Sequence, residues 1–403
     1  MKKRIRRIGF TLIELLIALF ALSVVLLTLG PMVYSVMNSA SRSKETAIEL
    51  GFASKNRSHK EIFYMAEAGL QDARSRLQTG ASGFPIQDTM PSNPSWMAFI
   101  GEAAKAIEKG YQSHNPNHSR YERLNSTLEY MVTVTHKLDG SGRVLKWGDN
   151  NNDGRPEENT TVGESIYVIT SQGYGSNGDT KSLRIEAAKL PPVKAAAAFY
   201  SKGEATLQGY STHVHGVDSC GSHPVPGVLS MEGVRLNGVP AITGSPSPIV
   251  EYSPVNIDMQ YLVNQFKRRA NYQYHVNSAT LPGMDWGSPI LGATQREPSD
   301  CSLRNIVYFN TNGTYVRLSG GSHGCGTLLV EGDLCVYGAF QWYGVILVTG
   351  SIIFSGGSGK NVTGAIMAGG MVSADLMGGG ANIIFCSRAV QDQTIYLPLV
   401  TLR

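Results

Sequence analysis

The 403-residue chain is 42% hydrophobic and only 16% charged, carries 45 glycines, and is long enough for two or three domains. Its formal charge of +4 comes from the amino terminus, where the first nine residues hold five of the 35 basic side chains and none of the 31 acids, leaving 30 basic against 31 acidic groups in the remainder. That balance, with no interleaved basic and aromatic stripe, argues against a general nucleic-acid binder.

In chain order, Lys2, Lys3, Arg4, Arg6 and Arg7 precede an apolar segment with one early acid, Glu14. No charged side chain follows from Leu15 to Ser41, a run of 27 residues. At ~1.5 Å per residue, a helix of that length exceeds the ~30 Å hydrocarbon core. The run is too long for a secretory h-region, and no small-residue cleavage site follows it. The basic cluster is expected to stay cytoplasmic. The chain is then expected to cross a membrane once, with everything after residue ~40 on the far side. Residues 10–79 read as one long helix, transmembrane over 10–37 and amphipathic beyond. Its stripe of Ile62, Ala66, Gly69, Ala73 and Leu77 is helically spaced. Asp72, Arg74 and Arg76 are left for solvent, and Gly80 is a plausible C-cap.

A proline-rich loop with a short helical pattern over 98–107 leads into three strand signals, LEYMVTVTHKL, SIYVITSQGY and KSLRIEAAKL. In the first, Tyr130, Val132 and Val134 alternate with Met131, Thr133 and Thr135, as a half-buried strand requires. Pro191-Pro192 marks a boundary. Beyond it the composition changes, and residues 318–385 hold only four charged side chains: Glu331, Asp333, Lys360 and Asp375. LLVEGDLCVYG at 328–338 aligns with ILVTGSIIFSG at 346–356 at an offset of 18. IMAGGMV from Ile366 is a looser copy, and the IIF around Ile384 is expected to restore the phase. Apolar strands broken by glycines at a fixed period predict a β-solenoid, whose coils bury their apolar rows only by stacking. FYSKGEATLQGYSTHVHG near Phe199 reads as an earlier coil. The stretch near 256–275, with Leu262, Phe266 and Arg269 turn-spaced, reads as a helical insertion.

Three groups of residues could carry chemistry. Asp149, Asn151 and Asp153 form a DxNxDG loop whose alternate oxygens, with Gly154 for the turn, suit Ca²⁺. Arg155 could add its carbonyl, and Glu157 or Glu158 a further carboxylate. Thr160 stands where a true EF-hand has its bidentate glutamate, and the flanks are not helical, so an Asx-rich surface turn is the competing reading. His213, His215, Cys220 and His223 cluster without a trusted zinc spacing, which favours polar loop histidines. Cys220, Cys301, Cys325, Cys335 and Cys386 all fall beyond the membrane, where disulfides are permitted. Five is odd, so one thiol is left over or pairs between chains, and two bridges can be drawn in 15 ways. Enzyme signatures such as HExxH and the P-loop are absent, and Glu331, Asp333 and Asp375 are the only carboxylates in the clearest coils. A non-enzymatic protein is expected, with a membrane-tethered carbohydrate-active solenoid as the rival.

Gly9-Phe10-Thr11-Leu12-Ile13-Glu14 resembles the type IV prepilin motif: a basic leader, a glycine, an aromatic residue and a glutamate as the fifth residue after the junction. Pro31 falls where pilins commonly carry a helix-kinking proline. FYMAEAGLQDARSRL at 63–77 is similar to the AEAGL segment of PilX-type minor pilins, as is the glycine-rich carboxy-terminal region. The resemblance implies removal of residues 1–9 by prepilin peptidase, methylation of the Phe10 amine, and packing of the helix among other pilins in a filament. Glu14 then pairs with a neighbour's Phe10 amine, which accounts for an acid inside an apolar segment. The implied fold is α+β: a long pilin helix, a small antiparallel β domain over 80–192, and a β-solenoid domain over 193–403. The implied location is the inner membrane, with the carboxy-terminal part in the periplasm, and then the pilus or cell surface. A minor pilin near the tip, acting in initiation or adhesion to a surface or glycan, is one expectation. A type II secretion pseudopilin is the other.

Overall fold

The computed structural model describes residues 58–78, 86–101, 119–120, 129–175, 178–292, 298–357, 359–371, 375–391 and 399–402, together with Leu19. Gly9, Phe10, Glu14, Pro31, Gly80 and most of the expected long helix lie outside the described residues. Among the described residues no helix is long and apolar enough to cross a membrane. The chain is mostly β, in two main sheets.

Residues 58–77 are helical and bury the expected stripe, with Ile62, Ala66, Ala73 and Leu77 at most 2% exposed. Burial of each large side chain contributes about 1.5–3 kcal/mol. The stripe lies on an antiparallel sheet that contains Glu129–His136, Glu164–Tyr174 and Thr180–Lys189, the three strands the sequence predicts. Contact is close because glycines face it from both sides. A Cβ on Gly69 would come within 2.3 Å of Ser171 Oγ, and one on Gly173 within 2.5 Å of the Ile62 carbonyl oxygen. Arg76, expected in solvent, is buried at 4% exposure and pairs with Asp72 at 2.9 Å, while Tyr130 Oη donates to the same carboxylate at 3.2 Å. A long aliphatic stem can be covered while its head keeps a charged partner.

The helical pattern expected over 98–107 is overturned at its start, where Met97–Gly101 is a strand antiparallel to Glu129–His136. Ala98, Phe99 and Ile100 are all fully buried, and a short run buried on both faces carries no period to separate helix from strand. The loop before it is pinned by Asp88, which accepts from Tyr167 Oη and pairs with His136 Nε2, both at 3.0 Å. Trp96 stacks on the His136 ring at 4.7 Å.

The second sheet is parallel throughout its main ladders and curls on itself, solenoid-fashion. Leu328 faces Ile346 and Leu334 faces Ile352, so the offset of 18 read from the sequence is the stacking register. The coils are closed by glycines. Gly326, Gly344 and Gly364 stack in register with φ of 114°, 135° and 137°, and let one strand bend between two faces without a loop. The IIF around Ile384 does not repeat the IIF at Ile352: Ile383 faces Val362 on a different ladder. Residues 272–275, expected within the helical insertion, form a strand, and the helix is confined to Met259–Lys267.

Two features of connectivity carry no signal in the sequence. The coil at Phe199 stacks on the last carboxy-terminal coil, Phe199 facing Ile366 and Ala205 facing Asp375. The chain therefore enters the curled sheet in the middle of the stack. It winds to one end at Ile249–Val250, crosses back through Met259–Lys267, and restarts at Tyr272–His275 at the other end. The seam between first and last coils is stapled by Cys220–Cys386, a second disulfide joins Cys301 to Cys325, and Cys335 is free. The chain end, expected in the solenoid domain, instead pairs with the first sheet: Leu399 faces Lys189 in an antiparallel ladder. The curled sheet is thus inserted between two neighbouring strands of the first.

Candidate metal loop and the junction of the two sheets

Lys146–Gly148 and Glu157–Asn159 form an antiparallel hairpin, with Trp147 facing Glu158, and the DNNNDG segment is its loop. The turn follows from local chemistry. Asp149 Oδ1 and Asn151 Oδ1 both accept from the Asp153 N–H at 3.0 Å, Asp149 Oδ2 accepts from Gly154 N–H at 2.8 Å, and Glu157 Oε1 accepts from Asn150 N–H at 2.9 Å. Asn152 and Gly154 take the left-handed conformation the turn requires, with φ of 60° and 81°. Asp149, Asp153 and Glu157 are thereby brought together, each with one carboxylate oxygen within 4.8 Å of the others. An oxygen-only set of three carboxylates fits a hard cation, each oxygen keeping a lone pair beyond its hydrogen bond. Glu158 is excluded from the group: neighbours on a strand face opposite ways, and it pairs with Lys137 at 2.6 Å. The Arg155 guanidinium turns away to Asp258, Nε to Oδ2 at 2.7 Å.

The partner surface of this loop carries no signal in the local sequence. Asp258 is the N-cap of helix Met259–Lys267, its side chain accepting from Tyr261 N–H at 2.8 Å, and its own N–H donates to the Asp153 carbonyl at 2.7 Å. Although burial pushes its carboxyl up, the Tyr261 N–H and the Arg155 guanidinium together hold it below the usual range. A Cβ on Gly154 would lie 2.8 Å from Ile257. The hairpin loop is therefore seated on the start of the back-crossing helix. Beside it, a cleft of about 490 Å³ opens between Leu190, Pro192, Val255, Ile257, Tyr261 and Phe266.

The four charged side chains of the central coils are each committed inside the fold. Glu331 accepts from Tyr308 Oη, from Gln260 Nε2 at 2.9 Å and from Lys267 Nζ at 3.1 Å, which ties the helix to the coils. Asp333 accepts from Ser351 N–H at 2.8 Å, and Lys360 is fully buried with its ammonium on the Gly356, Gly357 and Gly379 carbonyls. Asp375 is also fully buried, accepting from Ile352 N–H at 2.7 Å and lying 2.5 Å from Ser201 Oγ. Burial pushes its carboxyl up to about 7. The Ser201 Oγ and Ile352 N–H donors favour the ionised form, and burial outweighs them.

A raised folded-state value means that the stabilisation is complete below the unfolded carboxylate value and is lost as pH rises through about 7. Thermal melts between pH 4 and 8 are expected to show falling stability, by at most about 1.4 kcal/mol per pH unit. Asp375→Asn is expected to flatten that fall. Equal slopes in the two proteins would refute the assignment.

His213 and His215 lie side by side on the outer surface with rings 5.9 Å apart, and Cys220 is spent in its disulfide, so the cluster does not converge on one point. Among known proteins, residues 4–30 match the family model of the prokaryotic N-terminal methylation motif, which indicates a type IV pilin-like prepilin signal and supports a pilin or pseudopilin-like protein. No curated protein and no solved structure matches the chain.

Proposed function

We propose that the chain is a minor pilin or pseudopilin, a non-enzymatic, low-copy filament subunit of PilX type. The methylation motif at residues 4–30 carries the reading. Prepilin peptidase cleaves after Gly9, Phe10 is methylated on its new amine, and the helix beyond joins the filament core beside other pilins. The helix at 58–77 on an antiparallel sheet supports a pilin-like head. The inserted curled sheet is too bulky to repeat along a lattice, which favours the tip. Intact-mass measurement on protein from the native host tests this: the expected chain begins at N-methylated Phe10. A chain that retains Met1 overturns the reading.

The Asp149–Asp153–Glu157 loop is proposed to hold Ca²⁺, which would brace the hairpin against Asp258 at the junction. The chain's own residues supply the carboxylates, and Arg155 and the Tyr261 N–H keep Asp258 ionised and in place. Titration of the full chain with Ca²⁺ is expected to release heat and raise the melting temperature, both of which Asp149→Ala abolishes. Absence of heat at millimolar Ca²⁺ removes the site.

A further inference from the structure

One outward row of the curled sheet has a chemistry of its own. Asp285, His323, Gln341, Asn361, Asn382 and His213 occupy the same register position on successive coils. Their neighbours Trp286, Trp342, Val362, Ile383 and Val214 point inward and are buried, so this row points out. Adjacent coils lie about 4.8 Å apart, which makes a straight track of planar polar groups across six coils. The groups are already aligned along the track: His323 Nε2 lies 3.3 Å from Asp285 Oδ1, and Asn382 Nδ2 is 3.4 Å from Asn361 Oδ1.

The track has one wall and one open side. The next outward row, Cys325, Tyr343 and Thr363, is buried beside helix Ser387–Gln391 and the Cys301–Cys325 bridge. On the other side the coils turn at Gly320, Gly338, Gly356 and Gly379, which present no side chains. At that corner Tyr210 is 78% exposed and Tyr337 55% exposed, the Tyr337 ring resting on Gly356.

Amides and imidazoles set donor and acceptor side by side, as adjacent sugar hydroxyls require. Exposed tyrosine rings offer a flat apolar face with a polar tip. Gln341, Asn361 and Asn382 form an uncharged centre, and no lysine or arginine stands in the row itself; the nearest cation on the wall, Arg388, is engaged with Tyr343. A pyranose in an extended chain advances by a length close to the coil spacing. We propose that this row binds an extended, uncharged polysaccharide, one sugar ring per coil. The proposal names the ligand of the inserted sheet and does not depend on filament assembly.

Detergent-solubilised full-length protein is titrated calorimetrically with cellohexaose, xylohexaose and chitohexaose, and with hexagalacturonate as the charged counterpart. At least one neutral hexamer is expected to bind, with the matching disaccharide at least about tenfold weaker because it spans fewer coils. Gln341→Ala with Asn361→Ala is expected to weaken binding about tenfold or more at an unchanged melting temperature. His213→Ala, at the far end of the row, is an independent variant should the pair fail to fold, and is expected to weaken the hexamer but not the disaccharide. Arg317→Ala, on the separate outward row shared with Cys335 and Ile353, leaves binding unchanged. No binding of any neutral hexamer, binding that survives both row variants, or preference for hexagalacturonate overturns the proposal. Binding is read on the purified chain, so its failure leaves the filament reading standing, and a retained Met1 leaves the binding result standing.

Discussion

Glu14→Gln is expected to leave cleavage after Gly9 intact and to abolish incorporation into filaments. In the proposed filament the carboxylate meets the Phe10 ammonium of a neighbouring subunit inside an apolar bundle. Gln keeps the size and removes the charge, so the ammonium is left uncompensated in a low-dielectric core. Breaking a buried pair from one side costs about 3–5 kcal/mol. At about 1.4 kcal/mol per tenfold, that is a loss of incorporation of more than a hundredfold. Immunoblots of sheared filaments against the cell fraction measure it directly. Wild-type amounts of Glu14→Gln in the sheared fraction would rule out this role for the acid.

The second large effect lies in the glycine stack of the curled sheet. Gly344→Ala is expected to destabilise the protein by about 4 kcal/mol or more, since a misfit core and a strained backbone act together. A Cβ at this position would sit 2.0 Å from the Gly326 carbonyl oxygen, a backbone atom that cannot swing aside. Its φ of 135° adds strain for any side chain. The neighbouring coils cannot yield either, because Gly326 and Gly364 hold the same corner above and below. Gly338→Ala is the control. Gly338 also has a positive φ, 81°, but a Cβ there meets nothing within 4 Å, so the cost is about 1–2 kcal/mol from backbone strain alone. Thermal melts of the two variants are expected to differ by about 5 °C, and equal melting temperatures would refute the close-approach argument.

Much of this was legible in the residues. The GFTLIE motif, the apolar stripe from Ile62 to Leu77, three of the antiparallel strands and the offset of 18 depend on which side chains face one way along a short stretch, and such patterns are written locally. The DNNNDG turn was legible for the same reason, because Asx side chains bond to backbone only a few residues away. The readings of Met97–Gly101 and Arg76 failed where burial on both faces, or a covered aliphatic stem, erased the local contrast.

What tertiary structure alone decided was partnership over distance. The sequence by itself determined that the coils repeat, that their apolar rows must be buried by stacking, and that a carboxylate-rich turn joins two strands. It did not determine that the coil at Phe199 would follow the coil at Ile366, that Cys220 would meet Cys386, or that Asp153 would seat on Asp258. Nor did it show that Leu399 would return to Lys189 and make the curled sheet an insertion. The physical reason is that a parallel ladder is held by backbone groups common to every residue. Coils of similar apolar pattern can all stack on one another, and only packing of the whole chain selects which edges meet.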